Sequence, residues 1–550
     1  MYHSLLTNRY LTSRVIPIVA VGAVALCVAL VIIVVSIMTG FLDMVRSSGK
    51  SLMGDVIVAY PVNGIPHYER LIERIKALPE TEAATPVVDG WGLLRMPYPD
   101  GERKDTETVQ FWGIEAKSFA KVTGYAESLY WKPVTEDMSE ADFRHEITPD
   151  ILEEVLQNGL NLQFNGNKAG IVLGLHISQG NERQKDGSIL PALNGYWWMP
   201  QFEVTLTIMP TGGGTVIPEP ENVKFRIVNE FSSGVFLIDD TRVIIPFEVA
   251  QKRLQLHEAE EVDPNDFDEF GIPKVVGINP GRATMILVRA TDGIDPKTLK
   301  SRVQEVYEAF EQEINADDTA IIKMPPHELS ISISTWEEQQ AAFIGPIEKE
   351  RELMRTLFSL VYLVCAGLVL AIFWAIVYEK TRDIGILRSI GASRMGISWI
   401  FLRYGLIIGI AGAVVGVGIA YLVVHNINII HGALGDPPVW LAIIFLVIGA
   451  IVIAISAYHG RKGDLLPIAL GALIAITLIG AGVGIIVLKE SGGVVIWDPT
   501  VYYFTYIPNQ MDKVTAIITM VGAVVFSLIG AFLPAAKAAD IDPVRALRYE

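Results

Sequence analysis

The sequence predicts an α-helical multi-pass membrane protein with six spans and a large extracytoplasmic α+β domain between spans 1 and 2. Three observations lead there: six uncharged apolar runs, a long acidic stretch after the first of them, and lysine and arginine gathered on alternate sides. Composition agrees, with 51% hydrophobic and 19% charged residues and a mean hydropathy of +0.38. The runs are 15–42, 356–378, 404–424, 437–458, 465–488 and 514–536. Each meets or exceeds the ~18–20 apolar residues that a helix rising ~1.5 Å per residue needs to cross the hydrocarbon core.

The first run follows Arg9 and Arg14. It is longer than the ~7–15 residues of a signal-peptide core, and Met38-Thr39-Gly40-Phe41 is not a small-residue cleavage site, so it reads as an anchor. Positive charge places the loops, because basic short loops stay in the cytoplasm. Arg9 and Arg14, then Lys380, Arg382, Arg388 and Arg394, then Arg461 and Lys462, then Lys537, Arg545 and Arg548 fall on one side. Loop 426–436, on the other, has none, which puts both termini inside.

The resulting organisation is a cytoplasmic N-terminus and first span (1–42), an outer domain (43–355), a second span (356–378), a cytoplasmic coupling segment (379–399), a third span (400–424), an apolar hairpin of two spans (437–488), an outer loop (489–513), a last span (514–536) and a cytoplasmic tail (537–550). Much of the net charge of −17 lies in the outer domain. That argues against nucleic acid, which needs a basic footprint. Cys27 and Cys365 both fall in spans, so no disulfide is expected to staple the outer domain.

Within that domain, 55–60 reads as a strand and 66–78 as a helix with Leu71, Ile72, Ile75 and Leu78 on one face. The pattern returns near the far end as a strand at 284–290, Asp295-Pro296 as a helix start, the stripe Leu299, Val303, Val306, Tyr307 and Phe310, and a last strand near Ile321. These ends suggest one α+β module with a β-rich insertion between them, whose strands are 202–209, 223–229 and 242–247. Residues 209–218, Met209-Pro210 to Pro218 around Gly212-Gly213-Gly214, read as an exposed hairpin tip. The acidic run 258–269 misses calcium-loop spacing and reads as a solvated loop. Tyr196-Trp197-Trp198 is either core or a binding patch.

No phosphate-binding GxxxxGK[ST], HExxH, CxxC or GxSxG motif occurs, and the histidines form no ligand pair at helical spacing. The expectation is a non-catalytic subunit without metal or cofactor; an ATPase would be another chain. After the second span, Ile384, Leu387 and Ile390, with Ile386 adjacent, form the apolar side of a short helix whose polar residues are Arg382, Asp383 and Arg388. Periodicity alone leaves a surface anchor and a coupling element equally open.

The string EKTRDIGILRSIGAS at 379–393 resembles the coupling loop of FtsX-like ABC permeases, in particular the lipoprotein-releasing, Lol-type branch. Arg9-Tyr10-Leu11-Thr12, Ser36-Ile37-Met38-Thr39-Gly40-Phe41, Gly170-Ile171-Val172-Leu173-Gly174, Tyr502-Tyr503, Ile507-Pro508, Pro534-Ala535-Ala536-Lys537 and Asp542-Pro543 through Glu550 are similar to that branch as well. The resemblance implies a permease driven by a separate LolD-like ABC ATPase, paired with a second permease copy or paralogue, and passing a lipoprotein from the inner membrane to a periplasmic carrier. It implies that Glu379, Lys380, Arg382, Asp383, Ile384, Leu387 and Arg388 couple to the ATPase. By the same analogy Met38, Phe41 and Phe358 line a lipid cavity, against ordinary packing, and Met209, Pro210 and Pro218 stand where one permease type recruits its carrier. The hairpin 437–488 departs from the usual four spans. It leaves open export of a peptide, macrolide or glycolipid, or regulation of a cell-wall hydrolase.

Overall fold

A computed structural model describes residues 16–96, 106–136, 138–166, 168–184, 186–210, 219–267, 273–318, 320–327, 330–460, 465–491 and 506–542. The chain divides into two compact units, Met44–Gly345 and a helical unit built from the segments on either side of it. Six helices, Ile16–Lys50, Ala341–Glu379, Arg394–His425, Val439–Gly460, Leu465–Glu490 and Lys513–Ala539, contain the six expected spans. The third starts earlier than an uncharged run can show. Ser393 caps it, its Oγ accepting from the Gly396 amide at 3.1 Å, so Arg394 and Arg403 are helical.

The first, second, third and sixth spans share one core that includes Val24, Val28, Val369, Phe373, Ile408 and Ala523. Small residues set its spacing. A Cβ on Gly405 would lie 2.6 Å from the Cβ of Ala531, and one on Gly416 would lie 2.7 Å from the Ala25 carbonyl. Close backbone approach of this kind, rather than the hydrophobic effect, joins helices in lipid. The fourth and fifth spans pack on each other, and their apolar windows are only 11% and 17% buried against 28–44% for the other four. The expected loop 426–436 contains a helix, Ile427–Gly435.

The outer unit is organised by one sheet of ten strands: β1 Val56–Ala59, β2 Thr81–Arg95, β3 Thr106–Ile114, β4 Gln163–Phe164, β5 Lys168–Gly174, β6 Glu203–Ile208, β7 Glu221–Phe231, β8 Arg242–Pro246, β9 Met285–Ala290 and β10 Ser332–Thr335. Their order is β10-β1-β9-β2-β3-β8-β5-β7-β6, with β4 on β5. Strand β2 is long enough to serve two partners along one edge, β9 through Thr81–Val87 and β6 through Gly92–Arg95. The second pairing closes β2, β3, β8, β5, β7 and β6 into a ring filled by Phe111, Ile171, Leu206, Phe225 and Val243. Gly90 is required there, because its Cβ would lie 2.4 Å from the Phe111 ring.

The two ends of the domain and its middle are therefore one sheet and one core, not a module with a separate β insertion. Helix Tyr68–Lys76 buries Leu71, Ile72 and Ile75, and helix Pro296–Ala316 buries Leu299, Val303, Tyr307 and Phe310, as the stripes predicted. Two other expectations change. No strand forms at Ile321 among the described residues; the last strand is β10 and pairs with β1. The acidic run is a strand, Ala259–Phe267, paired with Pro273–Asn279, because a strand needs only ladder partners and tolerates polar residues on solvated faces.

Residues 125–200 are held to β7 by a buried polar cluster. Asn229 Oδ1 accepts from the Trp131 amide at 3.1 Å, and its Nδ2 donates to the Trp131 carbonyl at 2.9 Å. Glu230 accepts from Trp131 Nε1 and Asn181 Nδ2, each at 2.7 Å, and has no exposed surface. Burial pushes the Glu230 carboxyl up to about 7, against the two hydrogen bonds that favour its charged form; burial likewise pushes Asp239 up to about 6. A folded-state pKa above the unfolded value means the native state binds the extra proton. Stability is then full below the unfolded pKa near 4.5 and declines as pH rises to about 7. Thermal unfolding of the outer unit in the detergent-solubilised chain should shift down between pH 5 and pH 8 by the equivalent of about 4 kcal/mol at most, from the two groups together. In Glu230→Gln the decline should shrink to what Asp239 leaves, and equal slopes for the two proteins would contradict this account.

Candidate functional site

At one end of the bundle, helix Thr381–Ser389 follows the second span after a break at Lys380 and ends before Gly391, whose φ of 107° suits only glycine. Its faces differ in part from expectation. Ile384 is buried and packs in the core of the spans, and Leu387 is half-buried, whereas Ile386 and Ile390 are 42% and 80% exposed. Sequence periodicity found the apolar side but cannot say which part meets the protein's own bundle. Lys380 Nζ and Asp383 Oδ2 pair at 3.0 Å, so these two charges satisfy each other one turn apart. Glu379 and Arg382 are exposed and, with Trp374, Tyr378, Pro534 and Lys537, line a cleft of about 380 Å³. Arg388 is half-buried, and its Nε has no hydrogen-bond partner.

At the opposite end of the bundle, four spans meet around the segment that enters the last one. Asp512 caps helix Lys513–Ala539, accepting from the Val514 amide at 3.0 Å and from the Thr515 hydroxyl. Its own amide donates to Ser36 Oγ of the first span at 3.3 Å, and Arg355 Nη2, on the second span's helix, lies 3.7 Å from its carboxylate. Burial opposes ionisation of Asp512, but the hydrogen bonds from Thr515 and Val514 and the charge of Arg355 hold its carboxyl below the usual range. Asn428, just beyond the third span, donates to the Ile507 carbonyl at 3.0 Å and accepts from the Ile507 amide at 2.8 Å. One turn above Ser36, Gly40 faces Pro508, whose Cβ would lie 2.5 Å from a Cβ at position 40. Sequence reasoning singled out Ser36, Gly40, Ile507 and Pro508 but missed Asn428, Arg355 and Asp512. The available signal was an aspartate immediately before an apolar run, a helix-start mark.

The remaining candidates are scattered. Met38, Phe41 and Phe358 are half-buried, and none lines the cleft at Arg382. Met209 is 52% exposed and Pro210 is buried at the end of β6; Pro218 lies outside the described residues. The pairing of Gly92 with Ile208 sets Met209 beside the edge of β2 that carries exposed Trp91 and Leu93. Trp197 stacks on Phe202 at 5.0 Å and Trp198 meets Trp131 edge-on at 5.9 Å, while Tyr196 is exposed, so two of the three aromatics are packing residues. The family-like strings at Arg9 to Thr12, Tyr502-Tyr503 and Pro543 to Glu550 also lie outside the described residues. Among the described residues no group of histidine, cysteine, aspartate or glutamate is arranged to hold a metal.

Residues 355–463 match the FtsX-like permease C-terminal family, and residues 18–148 match the MacB-like periplasmic core domain. The lipoprotein-releasing system transmembrane protein LolC of Xylella fastidiosa (strain 9a5c) is 26% identical over 218 residues, 40% of this chain and 40% of that protein. LolC of Haemophilus influenzae is 26% identical over 125 residues, 23% of this chain and 32% of that one. The match thus spans about two-fifths of the length of the first relative. The periplasmic region of MacB from Actinobacillus actinomycetemcomitans overlays with a TM-score of 0.24 at 12% identity, covering 55% of this chain and 96% of that one. The extracellular domain of the noncanonic ABC-type transporter YknZ from Gram-positive bacteria gives 0.23 at 8%, covering 51% and 99%. Both overlays are too loose to carry an argument.

The contact between Gly40 and Pro508 is directly testable. Gly40→Ala should lower the detergent-solubilised chain's thermal midpoint by the equivalent of about 1–3 kcal/mol, the usual range for overpacking. Gly22→Ala, in the same helix with nothing within 4 Å of the new methyl, should leave it unchanged or slightly raised. Equal midpoints for the two variants would rule out the close approach.

Proposed function

We propose that this chain, which carries an FtsX-like permease domain and a MacB-like periplasmic core, is the membrane subunit of an ABC machine that releases lipoproteins from the inner membrane. The observation that carries the reading is the helix Thr381–Ser389, inside the FtsX-like match, which leaves Arg382, Ile386 and Ile390 exposed, with no hydrogen bond or ion pair for Arg382 among the described residues. An exposed apolar pair beside a cation suits docking into a groove of a second protein. In this reading the occupant is a separate LolD-like ATPase that hydrolyses ATP, and Glu379, Lys380, Asp383, Leu387 and Arg388 shape the contact around that pair.

The second-span helix, Ala341–Glu379, is the element through which closure of the ATPase would act. A continuous helix of this kind is stiff, and its cytoplasmic end adjoins the coupling helix. A second permease, either another copy or a paralogue, would complete the translocator. Met38, Phe41 and Phe358 would meet the lipid anchor of the cargo, and Met209 with Pro210 and Pro218 would meet a periplasmic carrier. The names of the LolC relatives support lipoprotein as cargo. The MacB-like core favours one alternative, export of a peptide, macrolide or glycolipid by the same mechanics.

The test is co-purification from native membranes in gentle detergent, comparing wild type with Arg382→Glu plus Ile390→Asp, two exposed positions whose replacement leaves the bundle intact. An ATPase should accompany wild type and fall about ten-fold or more in the variant, the effect of losing about 1.4 kcal/mol, at unchanged thermal midpoint. A co-purifying lipoprotein would support the cargo, whereas absence of any ATPase from the wild-type preparation would end the reading.

A further inference from the structure

The helix of the third span carries a charge that the proposed coupling does not use. Arg403 lies in the third turn of helix Arg394–His425, about 13 Å from its cytoplasmic end at ~1.5 Å per residue. The side chain is exposed, and among the described residues it has no ion pair or hydrogen bond. Arg394 and Asp540, at the ends of the third-span and sixth-span helices, pair with each other at 3.4 Å. An arginine at this depth is costly unless it meets a counter-charge, and such residues mark sites more often than they fill space.

Arg403 lines a groove of about 690 Å³ between the third and sixth spans. The walls are apolar, with Trp399, Leu402 and Leu406 from one helix and Leu528, Ile529 and Phe532 from the other, and Arg403 is the one charged residue in the lining. The floor is rigid. Ser527 Oγ donates to the Gly405 carbonyl at 3.0 Å and Ser398 Oγ to the Ala535 carbonyl at 3.1 Å, which hold the helices together behind the groove. Phe532 lies about 10 Å from the cytoplasmic end of its own helix at ~1.5 Å per residue. The two walls therefore sit at matching depth, just inside the inner leaflet, where an arginine stem can carry its guanidinium up to the headgroup level.

We propose that this groove is a binding site for one anionic phospholipid of the inner leaflet, with an acyl chain against the apolar walls and the phosphate held by the Arg403 guanidinium. Charge complementarity and shape both select that occupant. A planar guanidinium takes a phosphate through two parallel hydrogen bonds, and a groove of branched aliphatic and aromatic side chains accepts a hydrocarbon chain without stranding a polar group. Trp399 suits the same level, since an indole favours the membrane interface. The site is independent of the identity of the cargo.

The experiment is native mass spectrometry of the full chain, purified through a delipidating detergent wash, with extraction and identification of the lipid that remains. Wild type should retain about one anionic phospholipid per chain. Arg403→Gln should retain about ten-fold less, the scale of a lost charge-assisted hydrogen bond, and Arg403→Lys should recover part of it. Leu528→Trp, which fills the groove and keeps the arginine, should lose the lipid too, and it decides the matter if Arg403→Gln does not fold. Equal retention in Leu528→Trp and wild type, or retained lipid in the proportions of the bulk membrane, would overturn the proposal. So would a disulfide between Arg403→Cys and a cysteine placed at an acidic position of a second copy, which would make the counter-charge a protein.

Discussion

The helical unit depends on close approach between helices that lipid gives no hydrophobic reason to associate. Lipid tails solvate a leucine face as well as another leucine face does, so contact must come from dispersion at short range and from hydrogen bonds that lipid cannot offer. The third span meets this need on two sides. Gly405 and Gly409 admit Ala531 and Ser527 of the sixth span, while Gly412 and Gly416 admit Val24 and Val28 of the first. Ser527 adds a hydrogen bond to the Gly405 carbonyl that has no competitor from water at that depth. Helix Thr381–Ser389, the polar ties around Asp512 and the groove at Arg403 are all placed by this packing. The fourth and fifth spans use the same device on each other, at Gly449 and Gly482, and bury little else.

What was legible in the sequence follows from the range of each interaction. The spans were legible because twenty apolar residues in a row are a local property. The outer helices were legible for the same reason, since Leu299, Val303, Tyr307 and Phe310 repeat within a few turns. The closed ring of strands was not. It depends on β2 pairing with β9 along one half and β6 along the other, between residues separated by more than a hundred positions, and a strand's own residues do not name its neighbour. The acidic run was misread for a related reason: its charges obeyed the rule for a solvated loop, and its partner strand lay beyond them.

The candidate site divides in the same way. A helix forms at Thr381–Ser389, inside the motif-bearing segment, but periodicity treated its apolar residues as one surface. The structure splits them, turning Ile384 inward to the spans and leaving Ile386 and Ile390 outside. Arg403 fell inside the expected third span, 400–424, but the uncharged run that defined it begins only at 404, so the charge drew no attention. The capping of the third helix by Ser393 starts it a little more than two turns before Arg403, which makes that charge part of a span.

Polar groups at the two ends of the bundle face different constraints. At the Asp512 end the chain supplies every partner itself: the carboxylate has a backbone amide, a hydroxyl and a guanidinium, and Asn428 makes two bonds to one residue. Such a set favours one arrangement of four spans, because moving any one helix strands a polar group without its partner. At the opposite end Arg382 and Arg403 are exposed and have no such set among the described residues. A bundle that ties Asp512 and Asn428 at one end and leaves Arg382 and Arg403 open at the other has a built-in direction. Internal bonds oppose motion at the first end, while at the second, partners of opposite charge can join without breaking any bond the chain already makes.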